Sequence, residues 1–218
     1  MRSAIAVQQV VKVFQRIFDD MAFYLTIACD DDLAVVRIDL HQWPGSQEAV
    51  ATDPFAADYA SGRTPSPCID CNTFVKFGAL LGRARTAYGC EAVATGHYAR
   101  IVPGPNGAPR LLRARDEEKD QTYFLYGLGQ EQLRHARFPL GAMTKPEVRT
   151  VARRLGLATA EKPESQEICF VPGGDYRDAL RERAGWSPTP GPLLDRDGVS
   201  VGEHEGTAAY TVGQRRGL

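Results

Sequence analysis

The chain is short of several things. Across 218 residues there is no glycine before Gly45, no apolar run near the ~18 residues a membrane span needs, and almost no net charge, at -1. The N-terminus also lacks the basic-then-apolar texture of a signal peptide, so the expectation is a cytoplasmic protein with no membrane role and reduced thiols. Without an overall basic footprint, a nucleic-acid partner would be held by local patches rather than by the field of the whole molecule. Cysteine is sparse and odd in number: Cys29, Cys68, Cys71, Cys90 and Cys169 do not form the even, regular set of a secreted disulfide framework. Reactive or metal-binding roles gain weight. At 43% hydrophobic and 24% charged residues the rest is ordinary globular material, enough for one sizeable core or one and a half domains.

The most informative stretch is Thr64-Pro65-Ser66-Pro67-Cys68-Ile69-Asp70-Cys71-Asn72. The alternate prolines hold Thr64 and Ser66 away from helical angles, so the segment should arrive extended, with its cysteines just before a helix start. Asn72 is the expected N-cap. Phe77, Leu80, Leu81, Ala84 and Tyr88 would share the buried face of the helix that follows, and Gly89 would end it. Cys71 would then stand beside a helix N-terminus, where the dipole favours a thiolate.

Around this stretch, residues 1 to 28 carry the spacing of an amphipathic helix, and Leu33 to Leu40 reads as a strand. A short helix is expected from Ala51 to Ser61. Ala92-Val93-Ala94 reads as a buried strand with Gly96-His97 at its carboxyl end, where open α/β sheets bind ligands. Tyr98 to Val102 and Leu111 to Arg115 should form a hairpin about Asn106-Gly107. Helices follow over Gln121 to Leu128 and Gln130 to Ala136, and Thr144-Lys145-Pro146-Glu147 is a capping box for another whose inner residues are Val148, Val151, Ala152 and Leu155. Beyond a helix over Tyr176 to Arg183, the run of prolines from Pro188 marks a boundary near Trp186. A small β-rich region comes last, with a hairpin about Asp197-Gly198 and a strand over Ala208 to Val212. Its few strands suggest a domain cut short. The organisation expected is a divergent segment at 1–50, an α/β domain at 51–186 and a partial β domain at 187–218.

The Cys68/Cys71 pair alone leaves three readings open: half of a zinc site, two core cysteines, or redox and sulfur chemistry. An iron–sulfur cluster held by Cys68, Cys71 and Cys169 is a further alternative. Cys29 and Cys90 lack motif context and read as structural.

Five ordered blocks narrow the choice. The cysteine stretch running into Val75-Lys76-Phe77-Gly78, Ala94-Thr95-Gly96-His97-Tyr98, Lys119-Asp120-Gln121-Thr122-Tyr123-Phe124-Leu125, Ser165-Gln166-Glu167-Ile168-Cys169-Phe170 and Tyr210-Thr211-Val212-Gly213-Gln214-Arg215-Arg216-Gly217-Leu218 together resemble the tRNA-specific 2-thiouridylase (MnmA/TrmU) family. The likeness runs from about Asp53 to the last residue; the first fifty residues do not match.

The resemblance implies a Rossmann-like adenine-nucleotide α-hydrolase domain of the PP-loop type, followed by a β-rich domain. It implies ATP-dependent transfer of persulfide sulfur to C2 of the wobble uridine of a tRNA, by a monomer that uses ATP with Mg and is loaded by a sulfur-relay donor protein. By the same carry-over Cys71 is the nucleophile and Cys169 the persulfide carrier. Gly96 contacts ATP, Ser66, Pro67 and Cys68 lie against the target base, and Lys119, Asp120 and Gln121 contact tRNA. The family holds either Asp or Cys at the position of Cys68. Arg149, Arg153, Arg154, Arg215 and Arg216 are candidate phosphate contacts. One departure stands out: the family's Ser-Gly-Gly-x-Asp-Ser phosphate loop occurs nowhere in this sequence. The competing expectation is therefore a non-catalytic or degenerate tRNA-binding fragment that keeps the thiol and RNA residues without ATP chemistry.

Overall fold

A computed structural model describes the backbone of residues 24–29 and 32–37, and residues 52–161, 171, 175–211 and 213–215. In chain order the main elements are β1 (Tyr24–Cys29), β2 (Asp32–Arg37), α1 (Asp53–Ala60) and a long helix α2, built of Pro67–Asp70, Cys71–Leu80 and Leu81–Tyr88. Then come β3 (Ala92–Ala94), β4 (Ala99–Pro103), β5 (Pro109–Arg113), α3 (Gln130–His135), β6 (Ala136–Arg137) and α4 (Lys145–Arg154). The last are α5 (Tyr176–Ala184), β7 (Gly191–Leu194) and β8 (Ser200–His204). The chain divides into two compact units, Met1–Ser46 with Cys68–Pro163, and Gln47–Pro67 with Glu164–Leu218.

In the first unit, four strands form a sheet in the order β2-β1-β3-β6. The helix expected over residues 1 to 28 gives way at its end to β1, because Thr26 and Ile27 are β-branched and pair on both sides, with Val35 and Ala34 of β2 and with Ala94 and Val93 of β3. The rest of that expected helix lies outside the described residues. β3 is central and buried throughout, antiparallel to β1 and parallel to β6, where Val93 faces Ala136. β4 and β5 form the anticipated hairpin, whose turn holds Asn106 and Gly107 at positive φ of 59° and 73°. Close packing fixes Gly141, since a Cβ there would overlap the carbonyl of Ala99. The helix expected over Gln121 to Leu128 is instead a single tight turn, Thr122–Leu125. α4 follows its capping box, Thr144 N–H donating to Glu147 Oε2 at 2.7 Å.

α2 starts earlier than its sequence suggested. Pro67 opens it, with Ser66 in the capping position, because proline has the φ of a first helical residue and no N–H to leave unpaired. Asn72 is therefore not a cap but an interior, buried residue. From Cys71 to Leu80 the helix is wide, and at its end Leu81 N–H reaches back five residues to Lys76 O. Phe77, Leu80, Leu81 and Ala84 are buried as expected, whereas Tyr88 is 42% exposed, and Gly89 closes the helix at φ 65°. Cys90, expected as a reduced thiol, is 2% exposed and disulfide-bonded, its partner lying outside the described side chains.

The second unit has its own core. Phe55, Ala56 and Tyr59 of α1 pack with Leu180 of α5 and with Ala208, flanked by Tyr176 and Trp186. Tyr176 Oη donates to Ala208 O at 2.9 Å, so residues 207–209 form a tight turn under that hydroxyl where a strand was expected. β7 and β8 pair as a hairpin, and Asp195 Oδ1 accepts from the N–H groups of Asp197 and Val199 across its turn.

Candidate functional site

The two thiols stand one helical turn apart at the start of α2. Cys68, in the first turn, is exposed; Cys71, in the next, is 9% exposed. Moving the helix start to Pro67 moves the N-terminal position with it, so the residue among the unpaired first-turn N–H groups is Cys68 rather than Cys71.

A segment 50 to 60 residues later holds this helix. Asn72, 2% exposed, donates from Nδ2 to Phe124 O at 3.0 Å. Gln132 Nε2 donates to Thr73 O and Phe77 O at 3.1 and 3.2 Å, taking up carbonyls of the wide stretch. Gly127 lies so close to Thr73 that a Cβ would come within 2.5 Å of its Oγ1. Asn72 Oδ1 and Thr73 Oγ1 are both buried with no hydrogen-bond partner among the described residues. Sequence reasoning gave neither Asn72 nor Gln132 a role in this bracing, because the contacts are long-range.

The carboxyl end of β3 is the second feature. Gly96 is exposed there. Thr95 Oγ1 and His97 Nδ1 lie 2.7 Å apart, and the His97 ring packs against Phe77 and Phe138, with centroids 6.1 and 5.7 Å away. Burial, with the charge of Lys76 second, lowers the His97 pKa to about 3, so the imidazole is neutral at pH 7. The exposed Gly96 leaves the backbone at this strand end open to close approach, and the charge of Lys76 is felt at His97.

The third feature is the turn after β5. Asp120 Oδ1 accepts from Ala114 N–H at 2.7 Å and Oδ2 from Thr122 Oγ1 at 2.5 Å. Gln121 and Tyr98 are doubly joined, Tyr98 N–H donating to Gln121 Oε1 and Gln121 N–H to Tyr98 O, both at 2.9 Å. Lys145 Nζ stands 5.7 Å from the centre of the Tyr98 ring. Lys119 is half-buried at the end of the turn Glu117–Lys119.

Of the other expected residues, Ser66 is half-buried and Pro67 buried, while Cys169 and Arg216 lie outside the described residues. Arg153 is engaged by Glu161, with Nε 2.5 Å from Oε1. Arg154 and Arg215 are exposed, and Arg149 is half-buried. Among the described residues no cluster of three or more His, Cys, Asp or Glu could hold a metal, and no helix is long and apolar enough to cross a membrane.

Comparison with known proteins covers most of the chain. A family model described as the tRNA methyl transferase HUP domain matches residues 30–173, and one described as the tRNA methyl transferase PRC-barrel domain matches residues 177–218. The first match begins ahead of Asp53, so the likeness extends further toward the N-terminus than the motifs suggested. A tRNA-specific 2-thiouridylase MnmA from Roseiflexus castenholzii is 56% identical over 179 residues, covering 75% of this chain and 48% of that protein. The protein of the same name from Geobacter metallireducens is 54% identical over 171 residues, 78% of this chain and 46% of the relative. That from Thermus thermophilus is 56% identical over 166 residues, 76% of this chain and 43% of the relative. The chain thus spans somewhat under half the length of the curated relatives it matches.

Proposed function

The chain belongs to the tRNA-specific 2-thiouridylase family, and on that premise we propose that it carries the thiol and RNA-handling residues for ATP-dependent 2-thiolation of a tRNA uridine. The observation that carries this reading is the pair of thiols one turn apart on α2, with Asn72 bracing the helix. The model description speaks of methyl transfer and the relatives' names of thiolation. Paired cysteines favour sulfur, because handing on a persulfide consumes a second thiol.

Gly96 and Lys76 would hold ATP, which when bound supplies AMP as the leaving group on the C2 oxygen of the uridine. The terminal sulfur of a persulfide on Cys169 attacks C2, forming a C–S bond as the C–O bond to AMP breaks. Cys71 thiolate then attacks the Cys169 sulfur. The S–S bond breaks, its electron pair stays on the sulfur at C2 as the thiocarbonyl forms, and a Cys71–Cys169 disulfide remains for an external thiol to reduce. A sulfur-relay protein loads the persulfide. Ser66 and the exposed Cys68 would meet the target base, with the buried Pro67 fixing the helix start between them, and Lys119 would contribute charge on the tRNA side. Asp120 and Gln121 act by fixing the backbone around it.

The test is nucleoside mass analysis of unmodified tRNA after incubation with this chain, ATP, Mg, a persulfide-loaded sulfur-carrier protein and a thiol reductant, beside a Cys169→Ser control. The expected product is thiouridine dependent on both ATP and Cys169. Bound tRNA without thiouridine would favour the non-catalytic reading.

A further inference from the structure

In the turn Thr122–Leu125 and the residue after it, the side chains divide sharply. Leu125 is fully buried and Phe124 half-buried, while Tyr123 and Tyr126 are 65% and 68% exposed. In a tight helical turn, residues three apart eclipse one another, which brings these two tyrosines onto one side; their ring centroids are 6.2 Å apart, with planes at 53°. Phe124 supports Tyr123 from behind, edge to face at 5.5 Å.

Two large aromatic rings in water need a reason, and the turn beneath them is rigid. Phe124 N–H is bonded to Gln121 O and Phe124 O to Asn72, while Leu128 N–H reaches Leu125 O. The neighbouring polar side chains are engaged inwardly, since Asp120 holds Ala114 N–H and Thr122, and Gln121 holds Tyr98 N–H. What this surface offers outward is ring area. That suits a flat ligand such as an unstacked base, since every base has a face to stack, and the relatives named as tRNA-specific make RNA the partner of this surface.

We propose that Tyr123 and Tyr126 form a stacking platform for an unpaired base of the RNA substrate, distinct from the uridine that receives sulfur. The inference rests on the RNA-directed reading above. It places the direct contact of this turn on the tyrosines and gives Asp120 and Gln121 the work of holding them.

The experiment compares binding of unmodified tRNA to the full chain and to Tyr123→Leu, Tyr126→Leu and the double variant, across a salt series, with Tyr→Phe changes as conservative partners. Leucine keeps apolar bulk without a stackable ring, and both sites are exposed, so the fold should survive; equal thermal midpoints check this. Expected is a loss of about 5-fold or more for each leucine variant, with an unchanged dependence of log Kd on log salt because no phosphate contact is lost, and near-parent binding for the phenylalanine variants. Leucine variants that bind tRNA like the parent overturn the platform while leaving the RNA reading intact, and point to a protein partner for the surface. A loss that appears equally in the phenylalanine variants, or as a changed salt slope, also overturns it. A parent chain that binds no tRNA sinks the functional reading itself.

Discussion

Asn72 and Phe124, 52 residues apart in sequence, are joined by a 3.0 Å hydrogen bond from the Asn72 amide to the Phe124 carbonyl. One end is the residue next to Cys71; the other lies between the exposed Tyr123 and the buried Leu125. The thiol helix and the tyrosine turn are therefore one braced object, tightened by Gln132 on the Thr73 and Phe77 carbonyls and by Gly127 against Thr73. A wide helix is poorly satisfied by itself, and this segment supplies what it lacks.

Replacing Asn72 tests that brace. Asn72→Ala removes the donor and leaves Phe124 O without this bond in a part-buried setting, which costs about 1 kcal/mol. Urea unfolding should show a lower midpoint with an unchanged slope. Asn72→Asp keeps the shape but has no N–H to give, so it should be at least as destabilised. Variants as stable as the parent would mean that the bond contributes nothing net.

The sequence made the elements with local signals legible. Asn106-Gly107, the Thr144/Glu147 box and Gly89 each encode a turn, a start or a stop within a few residues, and the hairpin, α4 and the end of α2 follow from them. The thiol pair was equally visible. Asn72 has a capping side chain and so suggests a later helix start, while Pro67, which beside Pro65 reads as a stiffener of an extended segment, is the first helical residue. Strand β1 was missed because its apolar residues continue a helix-spaced pattern, and only pairing with β2 and β3 settles the conformation. Asp120 and Gln121 looked like surface ligands because nothing in the sequence says that Ala114 and Tyr98 will present N–H groups to them.

His97 should leave a signature in the acid stability of the protein. Its pKa falls from 6.5 to about 3 on folding, chiefly through burial, so between those values the unfolded state binds the proton and the folded state does not. Stability should therefore decline as pH falls below about 6.5 and keep declining until about 3. The lowered carboxyls of Glu147 and Glu161, bonded to Thr144 and Arg153, add to the loss only once the pH drops below 4.5. Equilibrium unfolding of the parent and of His97→Gln between pH 7 and 5 checks the sign. The variant should be flatter in that window, and parallel curves would mean that His97 is protonated in the fold.

Cys68 and Cys71 should differ in reach despite their shared motif. Cys68 is exposed and in the first turn of α2, whereas Cys71 is 9% exposed one turn further in. An alkylating agent added to the native protein should label Cys68 first, and Cys71 only as fast as the helix opens, as followed by peptide mass analysis over time. Unfolding in denaturant should bring the two rates together. If Cys71 is modified as fast as Cys68 in the native state, its thiol is reached without local opening. If it lags and unmodified tRNA accelerates it, RNA binding itself opens the helix start, and Cys71 is uncovered only when RNA is bound.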